Sequence, residues 1–225
     1  SKSIWTLYSL ASSAEYNFNK RYFLTGSLRR DGSSRFGANN KYGTFWSSSA
    51  SWLMSQESFM QDYDWLSVLK LRASIGTVGN FSGISNYQSL GLFGFGRYNN
   101  SLTSVPSQIA NPDLTWESKL KRNVGIDVEV LQSRIALSVD YYNEYTDDLL
   151  LSQPVSRTSG FSSVTRNIGA MSNKGIEASV NVDLIRSDKF QWSINGNITH
   201  NVNRVERLNE GQEEIVDGAT GINVY

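Results

Sequence analysis

The stretch that most constrains this chain is Arg134 to Leu151, RIALSVDYYNEYTDDLLL, eighteen residues without a glycine or a proline. Ile135, Leu137, Val139 and Tyr141 alternate with Ala136, Ser138, Asp140 and Tyr142. Successive side chains of an extended chain point to opposite faces, so one face is apolar and aromatic and the other small or charged. Strands in globular sheets commonly run about 3–10 residues. A longer strand with two unlike faces fits a wall between lipid and water better than the short strands of a soluble sandwich.

The same alternation predicts strands over 4–18, 21–30, 44–54, 68–77, 115–131, 174–186 and 190–205 besides the opening stretch. Short turns at Asn19-Lys20, Gln132-Ser133 and Ser187-Asp188-Lys189 alternate with polar loops over 31–43, 78–114 and 152–167. The segment 55–67 is intermediate in length, with Ser55 a candidate cap for one helical turn. Alternate connections of an up-and-down meander lie at the same end of the sheet. Short turns at one end and long loops at the other are the asymmetry of outer-membrane barrels. The expected fold is all-β: an antiparallel up-and-down transmembrane β-barrel, partial, with about eight strands of a larger barrel. Residues 78–114 are then one long extracellular loop holding at most a local hairpin near Tyr87 to Phe95. Strand one runs toward the periplasm and strand two toward the cell exterior.

Composition agrees once it is read for strands. Hydrophobic content of 39% and charged content of 19%, with mean hydropathy −0.36, would describe a soluble protein. In a membrane barrel, however, apolar and polar residues average out over any window. No segment approaches the roughly 18 unbroken apolar residues of a membrane helix. Lys+Arg and Asp+Glu both number 21, without a basic block, so nucleic acid is a poor partner and none is expected. Cysteine is absent, which removes disulfides, thiolate metal sites and cysteine nucleophiles.

Chemistry-bearing constellations are sparse. His200 is the single histidine and reads as a polar wall or rim residue rather than a triad member. Asp147-Asp148 and Asn111-Pro112-Asp113 offer oxygens to a calcium ion but do not resemble an EF-hand loop, and read rather as solvated loop carboxylates and an Asn-Pro turn. GLFGFG, with Gly91, Gly94 and Gly96, has the wrong spacing for a dinucleotide loop. No catalytic, cofactor-binding or metal-binding residue is assigned, and no enzyme activity is expected. The polar faces offer a row of charges of both signs: Glu15, Arg29, Lys70, Arg72, Asp127, Glu129, Asp140, Glu144, Glu177 and Asp183. This row suits a hydrated lumen or, equally, cross-strand ion pairing. Phe81, Tyr87, Phe93, Phe95 and Tyr98 in the longest loop are candidate contacts for a substrate or a lid, against packing of the loop on itself. The alternative architecture is a soluble or surface β-sandwich for binding or adhesion. It requires Leu69, Leu71, Val124, Val128 and Val180 to pack on a second sheet.

Six stretches together resemble the SusC/RagA family of TonB-dependent outer-membrane transporters. They are RYFLTGSLRRDGSSRFGANNKYGTFWS from Arg21, SWLMSQESFM from Ser51, WLSVLKLRASIGTVGN from Trp65, PSQIANPDLTWE from Pro106, SVDYYNEYTDDLLL from Ser138 and GFSSVTRNIGAMSNKGIE from Gly160. Trp46 stands where that family commonly has proline. The resemblance implies a piece of a barrel domain from a larger transporter of the bacterial outer membrane, with outer-membrane lipid around it. A SusD-like surface lipoprotein would close the mouth, and TonB would power import of an oligosaccharide or peptide. Both ends are expected to be cuts within that larger protein, and neither plug domain nor TonB box is recognised in these residues.

Overall fold

The computed structural model describes residues 3–208, with the backbone of 215–216 and 223–224. The tail from Gly218, expected to hold no closing strand, lies outside the described residues except for Asn223–Val224. Eight strands form one antiparallel sheet in strict chain order, apart from a hairpin that leaves it. The sheet strands are β1 (Leu7–Phe18), β2 (Tyr22–Ser33), β3 (Tyr42–Leu53), β4 (Leu66–Asn80), β7 (Glu117–Val130), β8 (Ile135–Pro154), β9 (Ser163–Arg186) and β10 (Gln191–Arg207). β5 (Leu92–Tyr98) and β6 (Ser101–Gln108) pair only with each other. Among the described residues the order β1 to β10 does not close on itself, so β1 and β10 are edges there.

Local chemistry explains the turns. β1 and β2 meet through Asn19, Lys20 and Arg21, the first two with positive φ, which gives the twist tight hairpin turns need. Asn99-Asn100 does the same between β5 and β6. Leu131, Gln132 and Ser133 all have positive φ between β7 and β8. The longer link from β3 to β4 holds two short 3₁₀ turns. Ser55 caps neither, because the first begins after Leu53 without a side-chain cap. Glu57 organises this link instead. Its carboxylate accepts from Tyr22 Oη at 2.7 Å, Trp52 Nε1 at 3.0 Å and Arg21 Nη1 at 3.1 Å.

Several predicted boundaries move. β9 starts at Ser163, well before 174, and pairs with β8 up to Pro154. The loop expected over 152–167 therefore shrinks to the link between Pro154 and Ser163. The hairpin spans 92–108 rather than 87–95, and 78–80 belong to β4.

The register places the two kinds of side chain on separate faces. One row runs Tyr16, Leu24, Ala50, Ala73, Val124, Tyr141, Ile176, His200. His200 thus stands on the apolar face, not on the polar wall, because it shares parity with Ile194, Ile198 and Val202. No second sheet covers this face among the described residues, and Val124 stays 60% exposed. That disposes of the sandwich. An uncovered apolar face spanning eight strands is stable only against another nonpolar phase.

The apolar belt is oblique to the hydrogen-bonded rows. The row through Ile75 on β4 is still overtopped by Leu28 and Trp46 on β2 and β3. On the other side it has already become Arg122, Asn143 and Lys174. A belt level with a bilayer crosses the rows in this way only if the strands tilt, as barrel closure demands.

Candidate functional site

The charged candidates all fall on the face opposite the belt. Arg72 is the centre. Its guanidinium donates to Asp127 through Nε at 2.7 Å and Nη2 at 2.9 Å, and Nη2 also donates to Asp140 at 3.0 Å. Ser138 Oγ donates to Asp127 at 2.8 Å and accepts from Arg72. Gly125 lies between Arg72 and Asp140 in the register, and its missing side chain is the space through which Arg72 crosses β7. Gly175 leaves the same gap under Tyr142, whose hydroxyl donates across β9 to Asn201 at 3.0 Å.

Glu144 accepts from Lys119 at 3.3 Å and lies 2.9 Å from Lys121. Arg29 pairs with Asp31 at 2.8 Å, and Lys70 sits 6.0 Å from the Phe23 ring centroid. Glu15, Glu129, Glu177 and Asp183 form no ion pair among the described residues. Arg72, Asp127, Asp140 and Glu144 are thus paired across strands and Arg29 within β2, and charges of both signs remain beside them, an arrangement suited to a wet wall rather than to selection of one charge.

The loop end is a second assembly, which the sequence pattern did not reveal. Phe36, Phe45, Ile84, Leu114 and Trp116 form a buried cluster, with Phe81 and Leu150 against it. Trp116 lies 4.5 Å from Phe36 and 5.4 Å from Phe81, ring to ring. Four segments meet here: the β2–β3 link, the start of β3, the loop before β5 and the NPDLTWE stretch. Hydrogen bonds stitch them. Gly37 N donates to Leu114 O at 2.9 Å, Asn39 Nδ2 to Asp113 at 2.7 Å, and Asn111 Nδ2 to Thr165 O at 2.8 Å. Asn167 exchanges both amide groups with the Thr115 backbone. The rings scattered through polar, glycine-rich loops were the one available signal. Only folding shows which of them converge.

The candidate aromatics separate accordingly. Phe81 packs into this cluster, so it belongs to the loop interior. Tyr87 accepts from Ile4 N through its hydroxyl. Phe93, Phe95 and Tyr98 project from the hairpin, 69%, 85% and 79% exposed. Gln108 ties the hairpin base down by donating to the carbonyls of Tyr87, Gln88 and Leu90. No group of three or more His, Cys, Asp or Glu side chains is arranged to hold a metal among the described residues.

Such a sheet is an unclosed arc of an outer-membrane-type β-barrel wall. The family described as "TonB dependent receptor-like, beta-barrel" matches residues 6–221, and the chain belongs to that family. It is 39% identical over 203 residues to TonB-dependent receptor P39 of Formosa agariphila, covering 90% of this chain and 20% of that protein. It is 34% identical over 219 residues to TonB-dependent receptor SusC of Bacteroides thetaiotaomicron, covering 92% of this chain and 22% of that protein. The fold superposes on a chain of the RagAB peptide transporter with TM-score 0.88 at 31% identity, over 96% of this chain and 24% of that one. The SusC/RagA-like identification therefore holds, and the fold is a partial antiparallel barrel. The chain spans about a fifth of the length of these curated relatives.

Proposed function

We propose that this chain forms part of the wall of an outer-membrane importer that is driven through TonB and takes up an oligosaccharide or a peptide. The observation that carries this reading is the division of the sheet into one charge-poor apolar belt and one polar, ion-paired face, in a chain of this family. In this reading the belt meets lipid and the Arg72 face lines the lumen or meets a plug. The short turns face the periplasm and the stitched loops, with 78–114, face the exterior. The exposed hairpin rings Phe93, Phe95 and Tyr98 are contacts for substrate or for a SusD-like lipoprotein lid. Peptide import is favoured by the likeness to RagAB.

The test is genetic. Deleting the gene for the complete receptor should abolish uptake of one substrate class, measured with labelled oligosaccharides and labelled peptide mixtures. The intact gene should restore uptake only in cells that retain TonB. Unchanged uptake of both classes in the deletion strain would overturn the proposal.

A further inference from the structure

The outer edge of the apolar belt carries a pattern that the barrel wall itself does not need. On β2 the residue beyond the last belt position, Leu28, is Arg30. The corresponding residue is Arg122 beyond Val124 on β7, Lys174 beyond Ile176 on β9 and Arg204 beyond Val202 on β10. Thr44, Thr77 and Asn143 occupy the same level on β3, β4 and β8, so no acid stands at it on these strands. At the opposite edge the matching positions are Met54, Ser67, Gln132, Ser133 and Phe190, with Lys20 and Arg186 the basic ones.

We propose that this outer collar binds the phosphate groups of outer-leaflet lipid; the inference rests on the orientation given under Proposed function. Arg122, Asn143 and Lys174 stand in one hydrogen-bonded row, so the two cations are two strand spacings apart, about 10 Å. Both are exposed, and neither forms an ion pair among the described residues. Asn143 adds an amide between them. Arg30 extends along the same face, its guanidinium carbon 5.3 Å from the Tyr42 ring centroid. Among the described residues Arg204 has only Glu206, at 3.8 Å. Guanidinium groups engage phosphate oxygens in pairs, and long basic side chains above an apolar surface lift their charge to headgroup level. The occupant is a lipid rather than a soluble anion because of what lies directly beneath. Acyl chains hanging from a phosphate on Arg122 and Lys174 would rest on Val124, Tyr141 and Ile176, the next row of the belt.

The experiment uses the complete receptor, purified in a neutral detergent and titrated with lipid A, with adducts counted by native mass spectrometry. Three proteins are compared: wild type, R122Q/K174Q/R204Q, and K20Q/R186Q at the opposite edge. Heat-modified gel migration confirms that each barrel is folded, and K174Q alone serves if the triple variant is not. The collar predicts saturable lipid A binding that the triple variant weakens at least tenfold. The K20Q/R186Q protein should match wild type, and dephosphorylated lipid A should bind all three equally weakly. Equal binding by wild type and triple variant, or no preference for the phosphorylated lipid, would overturn it. Membrane placement of the belt is checked separately on Val128→Cys, labelled with a fluorophore and exposed to a lipid-borne quencher. Absence of quenching there sinks the membrane reading, whereas quenching with unchanged lipid A binding sinks the collar alone.

Discussion

Gly125 has a role that its neighbours define. Arg72 reaches across it to Asp140, and a Cβ there would overlap Asp140 Oδ1 and crowd Arg72 Nη2. Both obstructed groups are side-chain ends, which can swing aside, so Gly125→Ala should fold and lose mainly the Arg72–Asp140 bond. For a partly solvated pair the expected cost is about 1 kcal/mol, read as a lower urea midpoint of the receptor in lipid vesicles. Gly37 is less forgiving. A Cβ there would overlap the Pro112 carbonyl oxygen, which is backbone, and the 2.9 Å bond from Gly37 N to Leu114 O would open. Gly37→Ala should expose the loop cluster to limited proteolysis while leaving the strands intact.

Glu57 carries the pH dependence at this scale. The Tyr22 hydroxyl, then the Trp52 indole and Arg21, hold its carboxyl below the ordinary carboxylate range. A depressed folded value means the contribution is present above the unfolded value and is lost as pH falls through the folded one. Acidification below the ordinary carboxylate range should therefore loosen the β3–β4 link, seen as a change in Trp52 fluorescence. Glu57→Gln should remove that acid transition.

Elements differ in how far the sequence announced them. Strands under the belt were legible because lipid on one side and water on the other impose a period of two. The first part of β9, SVTRNIGAMSN, has no such alternation, yet it pairs with β8 from Pro154 inward. It lies past the end of the belt, where nothing forces the two faces to differ. Backbone pairing with a long neighbour decides its structure instead. The hairpin was misplaced for a related reason. Its turn is Asn99-Asn100, a dipeptide suited to positive φ, but the glycines at 91, 94 and 96 and the rings around them obscured the flanking strands. Replacing Asn99 and Asn100 by valines forces β-branched residues into the left-handed region at roughly 1–2 kcal/mol each. The hairpin should then be cut by protease while the eight-stranded sheet survives. Among the site residues, the face of each charge was readable from parity. Which charges pair was not, because Arg72 meets Asp127 through a β4–β7 register set across the 81–116 excursion, and Asp140 through the β7–β8 turn beyond it.

At the scale of the molecule the separation of faces makes a sharp prediction. Arginine at Val128 or Val180, in mid-belt, should cost about 2–4 kcal/mol in urea unfolding from vesicles. Arginine at Ser179, on the opposite face beside Val180, should cost far less. Equal penalties would mean that lipid does not cover the belt.

The loop cluster has a further consequence, which concerns time. Phe36 and Trp116 touch although 80 positions separate them, and Asn39 bonds Asp113 across 74. Contacts this distant in sequence form late, because the intervening chain must first be drawn together. Here the drawing together is done by the zipping of β2, β3, β4 and β7, so the cluster is a readout of completed assembly. A chain stalled partway through insertion would keep Trp116 wet and its loops open to cleavage. A surface protease could then distinguish finished walls from unfinished ones without touching the strands.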